Sequence, residues 1–292
     1  MLQKIEKPLI LAHFYVPAAV QEMADFVGDS FALAKKAMES DCKTIVFAGV
    51  SFMAESVKIL CPEKTVYLPE PNAHCAMADM ASEEEIKRMR REGNDLAVVT
   101  YINSSARLKA LSDVIVTSAN AQKIVEKLPN RNIYFIPDGN LGRYIAKQDQ
   151  TGKTFFFGKG CCPVHDSLTA SEVRAALSAH EGALFLTHPE CREEVLSFAA
   201  YVGSTTGIIS YAEKSDCKKF VVGTEEGVLY ELKRRCPEKE FYFPKPRFVC
   251  EDMKKITPEK LLRATEGVPV TVDEETRRLA ERALKRMMEL AK

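Results

Sequence analysis

Ser40-Asp41-Cys42-Lys43 returns as Ser215-Asp216-Cys217-Lys218, and Cys61-Pro62-Glu63-Lys64 returns as Cys236-Pro237-Glu238-Lys239. Both pairs are offset by 175 residues (42 to 217, 61 to 236). Tetrapeptides repeated in register mark a duplicated structural unit far more strongly than any single motif. Cys75 and Cys250 share the offset, and Cys162 falls between them, 87 residues after the first and 88 before the second. The 292 residues therefore read as repeats over 1–83 with Cys75, 84–171 with Cys162 and 172–270 with Cys250. Residues 271–292 come next as an amphipathic C-terminal helix, with Leu279, Ala283, Met287 and Leu290 turned toward the body.

Within each repeat, short apolar runs such as Pro8-Leu9-Ile10-Leu11-Ala12, Thr44-Ile45-Val46-Phe47-Ala48 and Thr65-Val66-Tyr67-Leu68 alternate with longer segments of helical period. Apolar runs without in/out alternation suit parallel strands buried on both faces. Helices are expected over Ser30–Met38 and Ser51–Leu60, each with its first serine as cap. Strand and helix at this pitch predict βαβ units with right-handed crossovers. The expected fold is α/β, with one parallel-sheet unit per repeat.

The 41 basic residues balance the 41 acidic ones, so no overall field favours nucleic acid or an anionic membrane. No apolar run approaches the roughly 18 residues of a membrane span. Met1-Leu2-Gln3-Lys4-Ile5-Glu6-Lys7 leads straight toward a strand without a secretory run, and nine cysteines suit a reducing, cytoplasmic setting. The expected partners are small anionic molecules caught by local groups.

Three further sets recur at the repeat spacing. His13, Tyr101 and His188 each follow a first strand, and Tyr15, Asn103 and Glu190 stand two residues on. Residues two apart in an extended chain share a side, and ligands of open parallel sheets bind at the strands' carboxyl ends. Glu190 is the candidate general base, and Tyr15 the candidate phenolic acid or donor. Ser30, Ser118 and Ser204, the last with Thr205, each precede a helical segment, where free N–H groups and a hydroxyl make an anion pocket. His165 follows Cys162 in Cys162-Pro163-Val164-His165. His180 is expected on an exposed helix surface, and His74 is left without a role.

Cys42, Cys61, Cys217 and Cys236 lie away from the sheets' carboxyl edges and read as structural. Cys191 lies beside the site without ligating, and Cys161 packs next to Cys162. That leaves Cys75, Cys162 and Cys250 as ligands, one per repeat. Thiolates as the repeated ligand select an iron–sulfur cluster or zinc. Three thiolates on a cubane cluster leave one iron open. The Cys-x-x-His spacing keeps a zinc-stabilised, non-catalytic α/β binding protein for small anions as the alternative.

Ala12-His13-Phe14-Tyr15, Gly28-Asp29-Ser30, Phe52-Met53-Ala54-Glu55, Tyr101-Ile102-Asn103, Thr117-Ser118-Ala119-Asn120 and Pro137-Asp138-Gly139-Asn140 stand in one order along the chain. Cys162-Pro163-Val164-His165, His188-Pro189-Glu190-Cys191, Gly203-Ser204-Thr205, Gly223-Thr224-Glu225-Glu226-Gly227 and Cys250-Glu251-Asp252-Met253-Lys254 continue it. Together they resemble quinolinate synthase, from about residue 9 to 262. Departures from the family pattern are Val16 in place of a glutamine, His74 before the first cysteine, and Cys161. The resemblance implies three pseudo-symmetric αβα (parallel-sheet) domains arranged as a triangle around a central active site, with a [4Fe–4S] cluster on Cys75, Cys162 and Cys250 whose open iron acts as Lewis acid. It implies condensation of iminoaspartate with dihydroxyacetone phosphate to quinolinate for NAD biosynthesis, with a functional link to the enzyme supplying iminoaspartate. It also implies that His13, Ser30, Ser118, His188, Ser204 and Thr205 bind carboxylate or phosphate oxygens. Tyr15, Tyr101, Asn103, His165 and Glu190 would line the reacting centre, with Tyr101, Asn103 and Glu190 also touching substrate.

Overall fold

A computed structural model describes residues 7–292. Residues 1–6, expected to lead straight into the first strand, lie outside the described residues. The strands are β1 (Leu9–His13), β2 (Phe26–Gly28), β3 (Thr44–Ala48), β4 (Thr65–Tyr67), β5 (Leu96–Tyr101), β6 (Val114–Val116), β7 (Asn132–Ile136) and β8 (Thr154–Phe157). β9 (Leu184–Thr187), β10 (Tyr201–Val202), β11 (Lys219–Gly223) and β12 (Glu240–Tyr242) complete them. They form separate parallel sheets ordered β2-β1-β3-β4, β6-β5-β7-β8 and β10-β9-β11-β12. The expectation of repeated parallel αβα units holds, and the topology is the same in each.

The apolar runs become strands because both faces are covered. In the third sheet Phe220 and Val222 pack into one core with Ile208, Ile209 and Leu232, while Val221 between them packs into another with Val173, Phe185 and Phe248. Burying each such side chain stabilises the fold by about 1.5–3 kcal/mol. The first two sheets share one continuous core. The C-terminal helix Glu274–Leu290 is part of it, packed on the helix Ser51–Leu60, the short helix Ala106–Ala110 and β6. Its buried face is Ala280, Ala283, Leu284 and Met287, one position round from the Leu279 and Leu290 stripe, which is only half-buried.

The repeated tetrapeptides prove to be helix ends. Lys64 is buried, with Nζ donating to the carbonyls of Ala37, at 2.6 Å, and Ser40, the last carbonyls of the helix Ser30–Glu39. Lys239 does the same for the helix Thr205–Lys214, donating to Ala212 at 2.6 Å and Ser215 at 2.7 Å. Ser40 and Ser215 hydroxyls accept the Cys42 and Cys217 N–H, each at 3.2 Å. An ammonium on orphan carbonyls at a helix C-terminus suits both the hydrogen bonding and the helix dipole.

Two expectations are corrected. The serines that begin Ser30–Glu39 and Ser51–Leu60 do not cap them. Asp29 caps the first by accepting the Ala32 N–H at 3.0 Å, and Val50 precedes the second without a side-chain bond. A carboxylate immediately upstream takes the capping role and leaves the Ser30 hydroxyl available. His180 is not a free surface residue: it ends the helix Ala170–Ala179, is half-buried and stacks on Tyr242 with ring centroids 3.4 Å apart.

Candidate active site

In each sheet the chain leaves the first strand for one neighbour and then crosses back to the other side. This is the switch point at which open α/β sheets bind ligands. β1, β5 and β9 end there, delivering His13 and Tyr15, Tyr101 and Asn103, and His188 and Glu190 to one cavity. Ser30, Ser118, Thr205 and His165 line the same cavity, and so do Cys75, Cys162 and Cys250. Ser204 does not. Its hydroxyl accepts the Gly207 N–H at 3.2 Å as the cap of the helix Thr205–Lys214, and it lines the adjoining groove. Ser118 is not a cap either, since Asn120 opens the helix Ala121–Lys127; the Ser118 hydroxyl stands 3.2 Å from His188 Nε2.

One backbone bond repeats in every unit and hangs the cysteine loops alike. Ser51 N–H donates to the Ala73 carbonyl at 2.9 Å, Gly139 to Gly160 at 2.8 Å and Glu226 to Phe248 at 2.9 Å, in each case two residues before the cysteine. Cys75, Cys162 and Cys250 then immediately precede the short helices Ala76–Asp79, Pro163–Asp166 and Glu251–Lys254, with no side-chain cap bond. All nine cysteines are free. Burial, and then the Glu190 charge, pushes the Cys75 thiol up to about 12 and raises Cys162 as well. Burial likewise raises Cys250. Such thiols hold their protons until a cation stands between them, and helix N–H groups then favour the thiolate. The donor set fits a soft metal group held by one thiolate from each sheet.

Cys162, His165 and Glu190 also cluster, with potential ligand atoms within 4.8 Å of one another. Glu190 Oε2 lies 2.7 Å from His165 Nδ1. Two ligands of a tetrahedral zinc would stand about 3.4 Å apart. The contact is a hydrogen bond, with His165 Nδ1–H donating to the carboxylate.

The hydrogen bonds settle how protons are arranged. Tyr15 N–H donates to His13 Nδ1 at 3.2 Å, and Glu190 N–H to His188 Nδ1 at 3.4 Å. In both rings Nε2 therefore carries the hydrogen, which His13 offers to an anion in the cavity and His188 to the Ser118 hydroxyl. Burial drives His13 down to about 3 and His188 down to about 4, so both are neutral donors at pH 7. Burial alone would raise the Glu190 carboxyl; the His188 and His165 rings and hydrogen bonds from His165 and Tyr101 bring it below the usual carboxylate range. Since His188 is uncharged, those hydrogen bonds keep Glu190 ionised.

Thr224, quoted in a motif but given no role from sequence, is fully buried behind the cavity wall and joins Tyr15 to His165. Its Oγ1 lies 2.7 Å from the Tyr15 hydroxyl and 2.9 Å from His165 Nε2. His165 Nδ1 also stands 3.2 Å from Cys162 Sγ; in the neutral ring with Nδ1–H on Glu190, Nε2 accepts from Thr224, Thr224 accepts from Tyr15, and Tyr15 accepts from Thr205 at 2.8 Å. Burial raises the Tyr15 phenol well above its ordinary value, so it stays protonated. Tyr15, Thr224, His165 and Glu190 form one continuous hydrogen-bonded chain drawn from all three units. Thr224 follows β11, and the carboxyl-edge rule applied to third strands would have found it.

Asn140 was likewise missed. Its Nδ2 donates to the Glu190 carbonyl at 3.1 Å and to Asp166 Oδ1 at 2.9 Å, while Arg192 grips Asp166 at 3.0 and 2.7 Å. This bidentate network holds the Glu190 loop against the helix that bears Cys162 and His165.

A family model described as quinolinate synthetase A protein, NadA, matches residues 1–289. The chain is similar to the quinolinate synthase of Clostridioides difficile strain 630, with 45% identity covering 100% of this chain and 95% of that protein. The quinolinate synthase of Caldicellulosiruptor bescii is 46% identical, covering 99% and 96%. Quinolinate synthase 2 of Methanosarcina acetivorans is 43% identical, covering 99% and 94%. With three equivalent cysteines around one cavity and a match along nearly its whole length, the chain belongs to the quinolinate synthetase A family.

Proposed function

We propose that this chain is a quinolinate synthase that condenses iminoaspartate with dihydroxyacetone phosphate, with loss of phosphate and water. The observation that carries the proposal is the convergence of one cysteine per sheet, each just before an equivalent short helix, on the cavity lined by Tyr15, His165 and Glu190. Cys75, Cys162 and Cys250 would hold a [4Fe–4S] cluster, which when bound supplies a Lewis acid at its open iron.

The chain's own groups do the rest. His13 presents Nε2–H, and Ser30 and Ser118 present hydroxyls, to the carboxylates and phosphate of the substrates; His188 Nε2–H backs the Ser118 hydroxyl, and Thr205 joins the set when its hydroxyl turns from Tyr15. Ser204 supports this set from outside the cavity by fixing the start of the Thr205 helix. Glu190 takes a proton as base, and the hydrogen-bonded chain serves as a proton path: Tyr15 turns its O–H from Thr224 to a leaving oxygen, and Thr224, His165 and Glu190 reverse their hydrogen bonds to resupply it. Tyr101 and Asn103 complete the wall of the cavity. No helix among the described residues is long and apolar enough to cross a membrane, and the expected substrates are small and diffusible.

Anaerobic purification is the test. A brown protein with about four irons per chain supports the cluster enzyme, and a colourless zinc-loaded protein would sink it. Cys162→Ser should abolish iron uptake while Cys161→Ser, whose side chain is absent from the cavity wall, keeps it. Equal loss in both would overturn the choice of ligand.

A further inference from the structure

Glu225 and Lys254 form an ion pair that the proton path does not use. In each unit the third strand leads through a short loop to an N-cap residue: Val50, Asp138 and Glu225. Val50 makes no side-chain bond, and Asp138 uses Oδ1 to accept the Asn140 and Leu141 N–H groups. Glu225 does more with its extra methylene. Its Oε2 accepts the Gly227 N–H at 2.7 Å, while Oε1 accepts the Cys250 N–H at 3.1 Å and the Lys254 ammonium at 2.7 Å.

Glu225 is fully buried, so its charge is costly unless paired. Val50 ends the equivalent loop of the first unit without any charge, so building the loop does not require one. Lys254, one turn beyond Cys250, also donates to the Tyr15 carbonyl at 2.7 Å. The loop has no slack against that strand, since a Cβ on Gly227 would stand 2.8 Å from the Phe14 carbonyl oxygen and from Tyr15 Cα.

We propose that the Glu225–Lys254 pair is a positioning device that sets the Cys250 thiol relative to Tyr15, locking the third sheet's ligand and the first sheet's phenol into one register. Fixing the Cys250 N–H fixes the backbone from which Sγ projects. Fixing the Tyr15 carbonyl fixes the strand end that carries the phenol. The proposal rests on the cluster-enzyme reading above and adds residues outside the ligand set to it.

Glu225→Gln, Lys254→Met and Lys254→Arg in the whole chain test it. The readouts are melting of the metal-free protein, iron per chain after anaerobic reconstitution, the electron paramagnetic resonance spectrum of the reduced cluster, and kcat and KM for quinolinate formation. Glu225→Gln and Lys254→Met should still melt cooperatively, with iron affinity or kcat lowered about 10- to 100-fold, an altered spectrum and little change in KM. Lys254→Arg should restore most of the loss. Should Glu225→Gln fail to fold, Lys254→Arg against Lys254→Met makes the same comparison, because the lysine is partly exposed. Wild-type iron content, spectrum and kcat in folded variants would overturn the proposal alone. A wild-type chain that takes up no iron would overturn the cluster reading and this proposal with it.

Discussion

Thr224→Val removes one hydroxyl and keeps the side chain's shape. Thr224 is fully buried, and its Oγ1 joins the Tyr15 hydroxyl at 2.7 Å to His165 Nε2 at 2.9 Å. Tyr15 keeps Thr205 as a partner at 2.8 Å, so the phenol is not orphaned. His165 Nε2 is, and a buried polar atom without a partner costs about 1–3 kcal/mol. The path from Tyr15 to Glu190 is cut at the same point. Since positioned acid–base groups contribute about 10²–10⁴-fold, kcat should fall at least about 100-fold. KM should change little, because no group that faces an anion in the cavity is removed. Thr224→Ser restores the hydroxyl and loses one methyl, about 0.8 kcal/mol of burial, and should recover most of the rate. The assay is anaerobic steady-state quinolinate formation by chromatography, with iron content matched between variants. Wild-type kcat in Thr224→Val at equal iron would refute the proton path.

Glu190→Gln should keep its iron while turnover, in the same assay, drops about 10²–10⁴-fold; undiminished turnover would remove Glu190 as the base. In the metal-free chain, His13 at about 3 and His188 at about 4 lie below their unfolded value of 6.5, so the unfolded chain binds protons first. Stability is therefore full above 6.5 and is lost as pH falls from there to about 4 for His188 and about 3 for His13. At pH 5 each ring should cost about 2 kcal/mol relative to pH 7. Urea midpoints at the two pH values measure this, and His188→Gln should remove about half of the difference. Lys239→Met keeps the buried stem but strips the carbonyls of Ala212 and Ser215 of their donor. It should lower unfolding stability by about 2–3 kcal/mol without changing iron uptake; denaturation and iron assay together check it.

The repeat was legible because a duplicated unit keeps the residues that end its helices. Lys64 and Lys239 stand at the same offset for the same reason: each donates to the last carbonyls of its unit's helix. The candidate ligands were legible because the cysteine loops recur at the repeat spacing, each cysteine two residues past the same backbone bond. The caps were not. Ser30 and Ser51 look like N-caps in isolation, and only the adjacent Asp29 and the actual start of each helix showed otherwise.

Local chemistry thus determined the alternation of strands and helices, the triple recurrence of cysteines, and the pairs His13 with Tyr15, Tyr101 with Asn103, and His188 with Glu190. Those depend on strand period and repeat length, which are properties of neighbouring residues along the chain. The tertiary structure decided which polar groups meet. Tyr15 and Thr224 are 209 residues apart, and Lys254 lies 239 residues from the Tyr15 carbonyl it holds. Contacts at that separation exist only once the three units have packed around the cavity, so no periodicity in the sequence announces them.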